Sequence, residues 1–117
     1  MESPVEEFIQ AAVRGSVNHA RYLEWFSEAT LGAFCNEVAL VVAQRFLDGK
    51  MSFSDADAAA NEFYSLYIGE PIEIPEPADS IYLAFDCGEF AIDGEDPIEE
   101  RTRPVLRKIL ASLSEKN

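Results

Sequence analysis

Apolar positions recur at helical spacing along most of this chain, and residues 19–48 form the stretch against which the other elements must pack. This stretch holds the single Trp, three of the eight Phe and the longest unbroken apolar run. Its two halves place their apolar side chains on nearly opposite sides of a helical wheel: Tyr22, Trp25, Phe26, Ala29 and Ala33 on one side, and Leu31, Phe34, Cys35, Val38, Val41 and Val42 on the other. The change of side falls at Gly32, and Gly costs about 1 kcal/mol in a helix relative to Ala. The pattern predicts a long central helix that is either broken near Gly32 or covered by different neighbours along its two halves.

A shorter helix is predicted ahead of this stretch. Ser3 suits the N-cap, Pro4 suits the first helical position, and Glu6 completes a capping box. Gly15 suits the left-handed residue that ends a helix. The predicted buried stripe follows the i, i+3, i+4 spacing: Val5, Phe8, Ile9, Ala12 and Val13.

A third helix is predicted after the central stretch stops at Asp48-Gly49. We expect Ser54 to be its N-cap, with Asp55 and Asp57 in the first turn, where the helix dipole favours carboxylates. Gly69 is the expected terminator. The inner stripe is rich in alanine, which permits a close approach to the central helix: Ala56, Ala59, Ala60, Phe63 and Tyr67.

Residues 70–77 combine acidic residues, isoleucine and proline, a composition that prevents a helix. The simpler interpretation is an extended connection across one face of the bundle. The alternative is an acidic binding loop with Ile72 and Ile74 as its apolar anchors. We favour the connection.

Residues 79–92 fit two patterns. As a helix they place Ile81, Ala84, Phe85, Gly88, Ala91 and Ile92 on one face, and as a strand they alternate Ile81, Leu83, Phe85 and Cys87. Periodicity does not separate these alternatives. We predict a helix, because a lone strand would leave its backbone groups unpaired and its evident partner, residues 72–74, is bounded by prolines.

The final predicted helix follows a turn at residues 93–96. Asp96 is its expected cap, Pro97 opens it and Glu99 completes its start. Pro104 must kink or restart the helix. Beyond it comes the last apolar stripe: Val105, Leu106, Ile109, Leu110 and Leu113. The elements together predict an all-α protein, a bundle of four or five helices around a long central helix, forming a single helical domain over residues 1–117.

Composition narrows the class of protein. A hydrophobic content of 48% argues against a disordered chain, and no apolar run approaches the roughly 20 residues of a membrane span. The acidic start of the sequence lacks the features of a signal peptide, so we expect a cytoplasmic protein. The net charge of -13 disfavours nucleic acid and anionic membranes and favours basic partners. Simple solubility is the competing explanation for this charge.

The search for catalytic chemistry finds no motif. His19 is the single histidine and lies beside no nucleophile in a recognisable pattern. The two cysteines, Cys35 and Cys87, lie among apolar residues and are expected to be buried thiols. The acids between Asp86 and Asp96 do not match the spacing of a calcium-binding loop. We therefore predict no cofactor, no metal site and no enzymatic activity.

Four basic residues are grouped on the last helix: Arg101, Arg103, Arg107 and Lys108. We expect them to pair with acids on neighbouring helices or to stabilise the C-terminal half of their own helix. A protein with so few basic residues is not expected to bind nucleic acid.

In size, acidity and predicted helical content, the chain resembles the immunity proteins that neutralise colicin-type nucleases and contact-delivered toxins in bacteria. Nuclease-colicin immunity proteins carry a Tyr-Tyr-Pro at their binding helices. This chain has Tyr64-Ser65-Leu66-Tyr67-Ile68-Gly69-Glu70-Pro71 instead, so the resemblance is one of kind and transfers no specific residue. It implies inhibition in trans, in which acidic side chains steer a basic toxin and block its substrate site.

Aromatic residues inside an acidic rim match the anatomy of binding hot spots. Tyr64 and Tyr67, with Glu62 and Glu70, are therefore candidate partner-binding residues. Packing in the core is the competing role, and it is favoured for Tyr67. Two other acidic surfaces are rivals: Glu73, Glu76 and Asp79 in one, and Asp93, Glu95 and Asp96 in the other.

The predicted function is that of a non-catalytic acidic binding protein whose partner is a basic protein, such as a toxin domain. A helical adaptor or self-associating homo-oligomer is the first alternative, and it would use an exposed apolar stripe. A metal-dependent enzyme ranks last, because a group of acids without a base, a nucleophile or ligand spacing is weak support.

Overall fold

The computed structural model describes residues 3–18, 26, 28–68, 73–89 and 94–115, and within these ranges the chain is all-helical. The prediction of an all-α bundle is confirmed. His19, Trp25, Glu70 and Asp93 lie outside the described residues. The elements are α1 (Pro4–Arg14), α2 (Glu28–Leu47), α3 (Phe53–Ser65), α4 (Ala78–Asp86), a π-helical segment (Ile98–Thr102) and α5 (Arg103–Glu115).

Helix α2 is the centre of the bundle and contacts α1, α3, α4 and α5. Its middle supplies five completely buried side chains: Cys35, Val38, Ala39, Val42 and Ala43. The helix begins at Glu28 and is continuous through Gly32, so no break falls at Gly32 itself. Phe26 is not helical, so a single helix over residues 19–48 is also wrong. A Cβ atom at Gly32 would lie 3.5 Å from Cγ of Pro75. The glycine therefore sits where residues 73–77 pass close to α2.

The predicted start and end of α1 are confirmed. Oγ of Ser3 accepts a hydrogen bond from the backbone N–H of Glu6, and Gly15 ends the helix in the left-handed region with φ of 71°. Val5, Phe8, Ile9 and Ala12 are buried as expected, whereas Val13 is 39% exposed. The carboxylate of Glu6 pairs with Arg45, which ties α1 to the last turn of α2.

The N-cap of α3 is Ser52, and the prediction of Ser54 is wrong. Ser52 has the extended backbone of a cap, and its Oγ accepts from the N–H of Asp55 at 3.1 Å. This cap makes Phe53 the first helical residue, and its ring lies 6.1 Å from both Phe46 and Phe85. The predicted inner stripe is buried along its whole length: Ala56, Ala59, Ala60, Phe63 and Tyr67. The helix ends at Ser65, before the expected terminator Gly69, which lies outside the described residues.

The choice of a helix for residues 79–92 is confirmed for its described part, α4. Ile81, Ala84, Phe85 and Gly88 are buried, as the helical pattern requires. The backbone N–H of Ala78 donates to Oδ1 of Asn36 at 3.0 Å, which fixes the start of α4 on α2.

Cys87 is exposed, so its prediction as a buried thiol is wrong, whereas Cys35 is buried. Position 87 comes four residues after Leu83, which is 49% exposed. Helical spacing therefore directs both side chains away from the core.

The final α-helix begins at Arg103, next to Pro104, which agrees with the predicted restart and not with a simple kink. Oδ1 of Asp96 accepts from the N–H groups of Ile98 and Glu99, and the π-helical segment then runs to Thr102 before α5 begins. Leu106 is completely buried as predicted, but Val105 is 41% exposed, so its prediction as a member of the buried stripe is wrong. Val105 points away from the core because successive residues are rotated by about 100° around a helix, and the next residue, Leu106, faces inward.

The predicted pairing of the basic residues with neighbouring helices is wrong for two of them. Arg101 pairs with Glu95, and Arg103 pairs with Glu99, so both partners belong to the same stretch of chain. The guanidinium of Arg103 also lies 4.4 Å from the ring centre of Phe46. Arg103 therefore reaches α2 through an aromatic face.

The chain packs very closely at Gly88, just after α4. A Cβ atom there would lie 2.8 Å from Cε2 of Phe53 and would also collide with Oγ1 of Thr102. Thr102 is completely buried, and its hydroxyl donates to the carbonyl of Ala84 at 2.7 Å. Gly88 thus lets the π-helical segment dock on the end of α4.

Replacing Gly88 with Ala is expected to lower the free energy of unfolding by about 1–3 kcal/mol, because the added methyl group overpacks this contact. Gly32→Ala is the matched control. Its Cβ meets Pro75 at an ordinary van der Waals distance, so the gain in helix propensity should raise stability by up to about 1 kcal/mol. Urea titrations followed by circular dichroism measure both effects. Equal stability of Gly88→Ala and wild type would contradict the packing described here.

Candidate functional site

A groove of about 450 Å³ opens where the end of α3 meets the start of α4. Its described lining combines aromatic, aliphatic and acidic side chains: Tyr64, Tyr67, Ile68, Glu73, Ile74 and Asp79. The lining contains no lysine or arginine among the residues that the structure describes. The groove therefore presents apolar surface beside uncompensated negative charge.

Helix α3 places the aromatic residues of the groove. Tyr64 is half-buried in its last turn and stacks on Tyr82 of α4, with ring centres 4.0 Å apart and ring planes within 8° of parallel. Ile68 follows and is 70% exposed, which is unusual for so large an apolar side chain. A partner that covers this side chain removes apolar surface from water, which favours binding.

Tyr67 is mainly a core residue. It is 8% exposed, and its hydroxyl lies beside the thiol of Cys35. Burial is the largest cause that raises the pKa of Tyr67 above its ordinary value, and burial likewise raises the pKa of Cys35 to about 12. Both groups stay protonated at neutral pH, so Cys35 is not a nucleophile, and Tyr67 serves as part of the groove wall.

The acidic side of the groove comes from the segment that leads into α4. Asp79 lies in the first turn of α4, and Glu73 lies in the irregular stretch before it. Burial raises the pKa of Asp79, and the charges of Glu76 and Glu73 raise it further. Like charges are thus crowded here, and a bound cation would relieve their repulsion.

The predicted binding residues differ in their position relative to the groove. Tyr64, Tyr67 and Glu73 line the groove, and Glu76 lies close enough to raise the pKa of Asp79. Glu62 lies on α3 without lining the groove. Glu70 and Asp93 fall outside the described residues.

Glu95 and Asp96 lie elsewhere and have partners within the chain. Glu95 pairs with Arg101, which lowers the pKa of the glutamate, and Asp96 caps the final helical stretch. Both carboxylates stabilise local structure. A separate acidic surface around these two residues is therefore less suited to a partner than the groove is.

A second group of acids lies at the other end of the contact between α3 and α4. Asp57, in the first two turns of α3, meets Glu89 and Asp86 from the end of α4. Oδ1 of Asp57 is buried and accepts no hydrogen bond, while its Oδ2 lies 3.5 Å from the Asn61 amide nitrogen. Burial raises the pKa of Asp57 to about 7, and the contact with Glu89 and the charge of Asp86 contribute to this shift. Neighbouring carboxyl groups repel each other less when one of them is protonated.

Sequence reasoning missed Ile68, Tyr82 and Asp57 as members of this region. Tyr82 carried a usable signal, because Asp79, Tyr82 and Asp86 recur at the i, i+3, i+7 spacing of one helix face. Ile68 and Asp57 carried no such signal, because their neighbours are distant in the sequence.

No cluster of three or more potential ligands able to hold a metal ion occurs in the described part of the chain. No described helix is long and apolar enough to cross a membrane. Comparison with models of protein families, with characterised proteins and with solved structures finds no match.

Replacing Asp57 with Asn tests whether this carboxyl group holds a proton in the folded state. The pKa of Asp57 rises from 3.8 to about 7 on folding, so the folded state binds a proton that the unfolded chain releases. The stability from this proton is fully present below about pH 4 and is lost as the pH rises through about 7. Wild type should therefore lose about 1–3 kcal/mol more free energy of unfolding than Asp57→Asn between about pH 5 and pH 8.

The readout is the free energy of unfolding from urea titrations at several pH values. Asp55→Asn removes the same charge two residues away and should keep the pH dependence of wild type. Parallel curves for wild type and Asp57→Asn would rule out the raised pKa of Asp57.

Proposed function

We propose that this protein is a non-catalytic binding protein that holds a basic protein partner on the groove and neutralises it by covering its surface. The observation that carries the proposal is the pairing of exposed Ile68 with the crowded acids Glu73 and Asp79 in one groove. An apolar centre with a charged rim is the usual anatomy of a protein-binding hot spot.

Charge supports a basic partner over a second copy of the chain. A net charge of -13 accelerates the approach of a basic protein and repels another copy. The groove also places its carboxylates beside apolar surface, where water is displaced on binding and electrostatic attraction becomes stronger. The negative charge of the protein and the exposed Ile68 thus both favour association with a basic protein.

The resemblance to immunity proteins supports a narrower form of the proposal, in which the partner is a toxin with a basic substrate site. A toxin that acts on nucleic acid needs such a site, because it must bind phosphates. An acidic protein that occupies this site excludes the substrate without chemistry of its own. The proposed mechanism is therefore competition for a basic surface.

Binding through the groove predicts that Glu73→Gln combined with Asp79→Asn weakens partner capture. We expect wild type, immobilised and exposed to lysate of its native host, to retain a basic protein at low salt and to release it as salt rises. The double variant should bind the purified partner about tenfold or more weakly, mainly through slower association. Ile68→Ser should weaken it mainly through faster dissociation. Surface plasmon resonance with the purified partner measures both rates.

The matched control is Glu37→Gln combined with Asp48→Asn, which removes two charges from α2 and the turn after it. If this control loses as much affinity as the groove variant, net charge alone drives binding and the groove is not the site. Toxicity of the captured protein in cells, relieved by co-expression of wild type but not of the groove variant, would establish neutralisation. A captured protein that is harmless in cells would contradict it.

A further inference from the structure

Helices α3 and α4 run antiparallel, so the groove and the second acidic group lie at opposite ends of one contact. Tyr64 at the end of α3 stacks on Tyr82, while Asp57 near the start of α3 meets Glu89 just past the end of α4. We call this line the α3–α4 seam: Glu73 and Asp79 at the groove end, Tyr64 and Tyr82 in the middle, and Asp57, Asp86 and Glu89 at the far end.

The spacing along α4 sets the length of the seam. Asp79, Tyr82 and Asp86 lie on one face of the helix, and the seven steps from Asp79 to Asp86 span about 10 Å at 1.5 Å per step. A polyproline II segment rises about 3.1 Å per residue with three residues per turn, so side chains three residues apart lie on the same side of it, about 9 Å apart. Two such side chains therefore match the two acidic ends.

Building on the proposed function, we infer that the α3–α4 seam binds an extended basic segment of the partner protein, with two cationic side chains three residues apart. One cation meets Asp79 at the groove end, and the other meets Asp86 and Glu89 at the far end. The residues between them cross the tyrosine pair. Arginine suits these positions best, because its planar guanidinium pairs with carboxylates and stacks on aromatic rings.

Charge complementarity carries this assignment. Tyr82 has Asp86, Glu89 and Asp57 as its charged neighbours, and their negative charge adds to the effect of burial in raising its pKa. The middle of the seam is thus neutral and aromatic, while both ends are acidic. A uniformly acidic surface would attract any basic chain, whereas this arrangement favours cations at a defined separation.

Two fluorescein-labelled peptides of identical composition test the inference. One carries two arginines separated by two residues, the other carries them side by side, and the remaining positions are glycine and serine. Fluorescence anisotropy at low salt should show about threefold to tenfold tighter binding of the spaced peptide. Chemical shifts of the backbone amides should change at both Asp79 and Asp86.

Asp86→Asn combined with Glu89→Gln should reduce the affinity for the spaced peptide to that for the adjacent one. The control variant with Glu37→Gln and Asp48→Asn should keep the preference for the spaced peptide. Retained circular dichroism of both variants shows that they are folded.

The possible failures are distinct. Equal affinity for both peptides, with shifts confined to the groove end, would overturn the inference and leave the proposed function standing. Shifts at neither end, or affinity that is insensitive to Glu73→Gln with Asp79→Asn, would overturn the proposed function together with the inference.

Discussion

The structure depends on the close packing of α3 against its neighbours. This helix contacts α1, α2 and α4, and its inner face is made of Ala56, Ala59 and Ala60, all completely buried. Helix axes approach within about 8 Å only where the side chains between them are small. Larger residues at these positions would separate α3 from α2 and α4 and would open the core around Phe63 and Phe85.

The candidate binding surface is a consequence of this packing. Because α3 and α4 lie close and antiparallel, the Tyr64 and Tyr82 rings meet face to face, and Asp57 is brought against Glu89. The placement of Asp57 opposes folding at neutral pH, because burial and the nearby carboxylates destabilise its charged form. The buried apolar face of the same two helices offsets this cost. Stability comes from one side of the helix pair, and the charged surface occupies the other.

Sequence reasoning was strongest where structure is set by neighbouring residues. The cap at Ser3, the left-handed Gly15 and the start at Asp96 each involve groups within a few positions of one another, so their patterns were sufficient. The cap of α3 was misplaced because Ser52 and Ser54 are both good caps locally. The choice of Ser52 is accompanied by packing of the Phe53 ring near Phe46 of α2 and near Phe85, which lies in α4 and is far away in the chain.

Gly32 illustrates the same limit. Its helix cost of about 1 kcal/mol suggested a break, but the surrounding contacts of α2 hold the helix together, and the missing side chain leaves space for Pro75. Long-range packing outweighs local propensity at this position.

For the candidate site, the sequence was sufficient to select Tyr64, Tyr67 and Glu73, because aromatic and acidic residues were close in the chain. It did not place Glu95 in its ion pair with Arg101 or bring Asp57 to Glu89. These relations depend on how segments fold onto one another. The acids that found partners inside the chain, Glu95 and Asp96, stabilise it, whereas Glu73 and Asp79 have one another's negative charge nearby. A protein with so few basic residues cannot neutralise every acid internally, so the acids left crowded in the groove are those with most to gain from a basic partner.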